Sequence, residues 1–197
     1  MESMTLTLNE VKENLTKVDF SKLPKPTRNK GGRGQLLELA LGIDNSSNLC
    51  DMVDGELKSF TQGESIAVTQ LKHILPQIFA NIPIYRTKLG IKTQQTLFVG
   101  FDRDNNFIGS TTLTPESDPK HFEQLEQDFH DICDAILTAY YDKKELHTVT
   151  GRNGLLQIRT KDSKYKGKYH PIIWKGQQLS DKGFAFYLTG KFGRELL

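Results

Sequence analysis

Cysteine is nearly absent: the 197 residues contain two, Cys50 and Cys133. Two thiols make neither a disulfide framework nor a zinc cluster, and they suit a reducing compartment. Long apolar runs are absent too, and none approaches the ~20 residues that a membrane-spanning helix needs. The N-terminal stretch MESMTLTLNEVKENL lacks the charged-then-apolar pattern of a secretory signal. A cytoplasmic protein with no membrane partner is therefore expected. There is no internal repeat and no low-complexity segment. His73, His121, His130 and His147 have no ligand-like spacing and read as structural or surface residues.

At 37% hydrophobic and 25% charged, the chain is long enough to bury a sizeable core without a staple. Its net charge of +2 conceals segregation. Residues 143–175 carry nine Lys or Arg against two acids, and residues 12–33 carry seven against two. Residues 115–134 reverse the balance, with seven acids and one Lys. Basic stretches of this kind are either solvated surface or the footprint of a polyanion.

Residues 8–18 place Leu8, Val11, Leu15 and Val18 at helical spacing, with Asn9 as cap. Pro24 and Pro26 make 20–29 an extended arm. After Gly31, Gly32 and Gly34, the run 35–41 predicts a helix that stops at Gly42. Strands are predicted over 56–60, 65–71, 96–101, 107–114, 155–161 and 184–188, with a hairpin turn at 102–106. Residues 72–92, with Pro76 and Pro83, read as irregular. Residues 119–140 form the longest helix. Its apolar stripe runs from Phe122 through Phe129 to Tyr140, and its other face carries Glu123, Asp131 and Asp134. This order predicts α+β or a mixed α/β sheet rather than a regular βαβ winding.

The chemistry concentrates in LCDMVDGELKSF, residues 49–60. Glu56 and Lys58 are two apart and share a face of the predicted strand. Asp51 can fold back toward Glu56 across a turn containing Gly55, and Asp54 is a rival for that role. Two carboxylates with one backbone carbonyl, that of Leu57, form an oxygen-rich site for a hard cation such as Mg²⁺. The adjacent lysine can orient a water or stabilise charge on phosphate, which suits phosphodiester hydrolysis. A second element, NKGGRGQLLELAL at 29–41, places Lys30 and Arg33 at a helix start, a natural phosphate seat, with Glu38 on the next turn. The loop 161–175 interleaves Lys161, Lys164, Lys166 and Lys168 with Tyr165, Tyr169, His170 and Trp174, a pattern suited to phosphate contacts.

Together these elements resemble the MutH family of endonucleases, the mismatch-repair nickase and related type II restriction enzymes, which share the PD-(D/E)xK fold. Lys30-Gly31, Gly34 and Leu36-Leu37-Glu38 look like that family's Lys-Gly-x-x-Gly-x-Leu-Leu-Glu motif. Gly55-Glu56-Leu57-Lys58 resembles its Gly-x-Glu-Leu-Lys strand, and Leu156-Gln157-Ile158-Arg159 its Leu-Gln-Ile-Arg strand. Gly183-Phe184 with Tyr187-Leu188 resembles its closing Gly-Phe-Tyr-Leu segment.

The resemblance implies one MutH-like nuclease domain over 1–197, catalytic in about 1–114 and DNA-recognising in about 115–197. Asp51, Glu56 and Lys58 would be catalytic, with Glu38 in support and Mg²⁺ on Asp51, Glu56 and the Leu57 carbonyl. Lys30 would contact phosphate, Lys88 loosely resembles a further active-site lysine, and Tyr187 resembles a sensor of adenine methylation. Arg33, Arg159 and the loop lysines complete the expected DNA surface. The implied activity is that of a sequence-specific, Mg²⁺-dependent DNA endonuclease. The short spacing between Asp51 and Glu56 favours a type II restriction enzyme. The alternatives are a strand-nicking repair enzyme activated by a MutL-type partner and a DNA-binding module without catalysis. One active site per chain makes a double-strand break the work of a homodimer or of two sequential nicks.

Overall fold

The structure, a computed structural model, describes residues 6–23, 30–44 and 50–197, with Lys30 and Gly31 described only in their backbone. It is a mixed α/β architecture of two main sheets. In the first, β1 (Glu56–Thr61) lies parallel to β3 (Thr96–Phe101), which pairs antiparallel with β4 (Phe107–Leu113). In the second, all antiparallel, the order is β2-β9-β6-β5, from β2 (Ile66–Gln70), β9 (Phe184–Leu188), β6 (Leu156–Thr160) and β5 (Val149–Thr150). A hairpin of β7 (Ile172–Trp174) and β8 (Gln177–Ser180) stands apart.

Every residue of β3 is buried, because both faces of the first sheet are covered. On one face Leu97, Val99 and Phe101 meet Leu57, α1 (Leu8–Leu15) and α2 (Lys30–Ala40). On the other, Phe98 and Phe60 join the main core with α5 (Pro119–Tyr141) and the second sheet. Alternation at a period of two sends neighbouring residues of one strand into these two cores.

The six expected strands and the long helix fall close to where the sequence puts them. The strands β5, β7 and β8, of two to four residues each, were not expected, because strands so short show no clear alternation. Thr7, not Asn9, caps α1, its hydroxyl accepting from the Glu10 N–H. The expected arm opens instead with a 3₁₀ turn at Phe20–Lys22, and its residues 24–29 lie outside the described residues. The helix expected from 35 begins at Lys30, so the glycines lie inside its first turns. The stretch 72–92 contains α3 (Leu75–Phe79) and α4 (Lys88–Gln94). Both are too short to display a helical period. The division near residue 114 is crossed by pairing, since β2 joins the second sheet through β9.

Asp128 interrupts the apolar stripe of α5 and is fully buried. Its carboxylate accepts from the backbone N–H groups of Asn153 (2.7 Å), Leu155 (2.8 Å) and Leu156 (3.0 Å). The charge is met by three donors that no strand pairs, which seats the start of β6 on the helix. At Gly151 a Cβ would stand 2.2 Å from the Asp128 Cβ, so this approach admits only glycine.

The C-terminal helix α6 (Gly190–Leu196) packs Phe192 on Phe98 and is tied to α5 by His121. That imidazole bonds Asp118 through Nδ1 and Glu195 through Nε2, the latter at 2.6 Å. Burial lowers its pKa, but hydrogen bonds and charge from Asp118 and Glu195 outweigh this and raise it above the ordinary histidine value. A raised folded-state pKa gives stability that is present below the unfolded value, near 6.5, and lost as pH rises through the folded value. Thermal melting of His121→Gln should therefore match the wild type above that range and fall below it in mild acid. Among the described residues no helix is long and apolar enough to cross a membrane.

Candidate active site

β1 is an edge strand, and its free edge forms the site. The Glu56 N–H donates inward to the Gln95 carbonyl at 2.9 Å. The next N–H, that of Leu57, faces outward and donates to Asp51 Oδ2 at 3.0 Å. The Asp51 N–H in turn donates to Glu56 Oε2 at 3.3 Å. The turn between them is closed by Met52 N–H on the Gly55 carbonyl, 3.0 Å. A Cβ at Gly55 would lie 2.7 Å from the Gln95 carbonyl oxygen, which accounts for glycine directly before Glu56.

This turn brings Asp51, not Asp54, to Glu56. The Asp54 carboxylate lies elsewhere, accepting from the Leu8 N–H at 2.7 Å at the start of α1. Glu56 is 2% exposed, and its Oε1 is met by two ammonium groups: Lys58 at 3.0 Å and Lys92 at 3.5 Å. A nearly buried carboxylate needs such partners, because desolvating it alone costs several kcal/mol. Lys58 arrives by the two-residue strand period. Lys92 comes from α4 and was not foreseen, while Lys88, one turn earlier, is exposed and its backbone N–H bonds Gln77 Oε1 at 3.0 Å. Glu38, on α2, completes the cluster. Burial first, then the charges of Asp51 and Glu56, push its carboxyl above the ordinary value against the pull of Lys58. Cys50, half-buried beside them, has its thiol raised by burial and by Glu56.

Among the described residues no group of three or more His, Cys, Asp or Glu is arranged to hold a metal ion. The donors present are two carboxylates and a carbonyl. The Leu57 N–H faces the outer edge, and the C=O of a strand residue leaves on the same edge as its N–H, here beside Asp51. That donor set fits Mg²⁺, which is held by one or two carboxylates and keeps several waters.

The site opens into a cleft of about 1190 Å³ between the free edge of β1 and the second sheet. One wall is Glu38, Lys58 and Ser59; the other brings Arg159, Lys161 and Tyr187 from β6, its following loop and β9. The Arg159 guanidinium lies 3.9 Å over the Tyr187 ring and donates to Ser65 Oγ at 3.3 Å. Tyr187 is 8% exposed, so much of its ring is covered. Arg103, on the β3–β4 turn, also lines this cleft and was not singled out in the sequence.

The other expected contacts are spread more widely. The Lys30 side chain is outside the described residues. Arg33 is built into the wall: its Nη1 donates to Thr61 Oγ1 at 2.9 Å and Asn105 Oδ1 at 3.1 Å, and its guanidinium covers Phe101. It ties α2 to β1 and to the β3–β4 turn. Lys164, Lys166 and Lys168 are exposed on a turn closed by reciprocal Tyr165–Lys168 backbone bonds, beyond the cleft. Lys164 lies 5.2 Å from the Tyr169 ring and Lys166 5.4 Å from that of Tyr165.

No family model matches the chain, and no curated protein matches it.

Proposed function

We propose that this protein is a Mg²⁺-dependent DNA endonuclease of the PD-(D/E)xK type, MutH-like in its motifs, acting on double-stranded DNA as a type II restriction enzyme. One observation carries the reading: Asp51, Glu56 and Lys58 converge at a free strand edge that opens into a cleft walled opposite by Arg159, Lys161 and Tyr187. Glu38 and Lys58, at the edge of the carboxylate cluster, and the cations Arg159 and Lys161 then line one space.

Asp51, Glu56 and the Leu57 carbonyl would hold the ion. Bound Mg²⁺ supplies a water of lowered pKa and a counter-charge for the phosphate. Lys58 Nζ, poised at Glu56, orients the attacking water and offsets charge that develops on the phosphoryl oxygens. Glu38, on the same cleft wall as Lys58, would take up the proton that the attacking water gives up. Arg159 and Lys161 draw the phosphate backbone into the cleft and fix its register. Tyr187 contributes recognition by its ring edge.

Purified chain on unmethylated plasmid should cut with Mg²⁺ and bind without cutting in Ca²⁺, which prefers more ligands and looser geometry. Efficient double-strand breaks by the chain alone support restriction. Nicking that requires a MutL-type activator moves the reading to repair, and binding without any cutting in Mg²⁺ moves it to a DNA-binding module.

A further inference from the structure

Beyond Lys161 the cleft continues into a second concavity of about 730 Å³, at the end of the second sheet. Gln70, Lys72, Lys161, Tyr169 and His170 line it over the apolar floor of Phe184. Asp162 is its one acidic lining residue, and that carboxylate is turned inward. It accepts from the N–H groups of Ser163 (2.8 Å), His170 (2.7 Å) and Gly183 (2.8 Å), and bonds His170 Nδ1 at 2.7 Å. Its side chain is 7% exposed. Asp162 thus clasps both ends of the basic loop, and its charge is spent on these donors. A concavity with a carboxylate beneath it presents cations to the opening.

A second observation links this place to the active site. Burial lowers the pKa of His73, and the charges of Lys72, Lys88 and Lys92 lower it further. The three ammonium groups therefore lie within electrostatic reach of one imidazole. Lys92 touches Glu56, and Lys72 lines the second concavity. Positive charge therefore stands at both places, beside the carboxylate cluster and at the second concavity.

We infer that the second concavity is a subsite for the phosphodiester backbone outside the scissile step, contacted by Lys72, Lys161 and His170, with Asp162 as the residue that positions them. The inference rests on the nuclease reading above. Coulomb attraction alone predicts that removing an anion from a basic surface tightens DNA binding. The clasp predicts the reverse, because without its acceptor the loop no longer holds its cations in register.

The test is duplex-DNA binding across a salt series for wild type, Lys72→Ala and Asp162→Ala, with thermal melting of each. Lys72 is exposed, so its variant should melt as wild type and lose close to one unit of the salt slope. Asp162→Ala should bind about tenfold or more weakly with a shallower slope, a loss of phosphate contacts that a purely structural role would not produce. An unchanged slope for Lys72→Ala, or equal or tighter binding by a folded Asp162→Ala, overturns the subsite while leaving the nuclease reading standing. A wild-type chain that binds no duplex overturns both.

Discussion

Asp51→Ala should abolish cleavage while specific DNA binding persists, and Asp54→Ala should cleave as the wild type does. The first loses a carboxylate that holds the Leu57 N–H and faces Glu56 across the turn. On the proposed reading it would remove a metal ligand and also negative charge from the path of a phosphate. The second loses only the acceptor at the start of α1, a change of about 1 kcal/mol in stability. Lys58→Ala leaves Glu56 with Lys92 as its ammonium partner among the described residues, and it should lower the chemical step by roughly two or more orders of magnitude. Single-turnover kinetics read the chemical step, and a gel shift in Ca²⁺ reads binding. Wild-type rates for Asp51→Ala alongside a dead Asp54→Ala would move the first ligand to Asp54.

The largest effect on stability is expected at Asp128, far from the proposed chemistry. Asp128→Ala leaves three backbone N–H groups without this acceptor, those of Leu155 and Leu156 buried and that of Asn153 partly buried. Each unmet donor costs about 1–3 kcal/mol, and structural relaxation recovers part of that, so a loss of about 3–5 kcal/mol follows. For a chain of this size each kcal/mol lowers Tm by about 2–4 °C, which makes a drop on the order of 10 °C. Asp128→Asn retains one acceptor oxygen and should lie between. Differential scanning calorimetry measures both, and an Asp128→Ala variant melting within about 2 °C of wild type contradicts this account of the residue.

Elements with a strong local pattern were legible in the sequence. β9 is apolar throughout and β3 is apolar from Leu97 on, and both are buried at every position. The stripe of α5 keeps its spacing over 23 residues. The pair Glu56 and Lys58 was legible because a strand period fixes which side chains share a face. Asp51 was not separable from Asp54, since the choice depends on which carboxylate the Leu8 N–H captures, a contact 46 residues away. Lys92 left no local signal. Its helix is seven residues long with a glycine inside, and that glycine is required because a Cβ at Gly90 would fall 1.9 Å from the Ile84 carbonyl oxygen. Asp128 was one acid among several on α5, and its burial is imposed by residues 153–156 folding onto it. Arg33 read as a phosphate contact from its neighbours in sequence, and its bonds to Thr61 and Asn105, which fix it in the cleft wall, left no local signal. Contacts of this range are set by tertiary structure, which periodicity does not encode.

The central claim is that Glu56 and its neighbours on β1 form a metal-dependent hydrolytic site. Its most direct test is single-turnover cleavage of unmethylated duplex DNA by wild type and Glu56→Ala, each in Mg²⁺ and in EDTA, at concentrations where both are shown to bind. The account predicts strand scission by the wild type in Mg²⁺ alone, with none by Glu56→Ala in either condition. Scission that persists in EDTA, or that proceeds at the wild-type rate in Glu56→Ala, contradicts it.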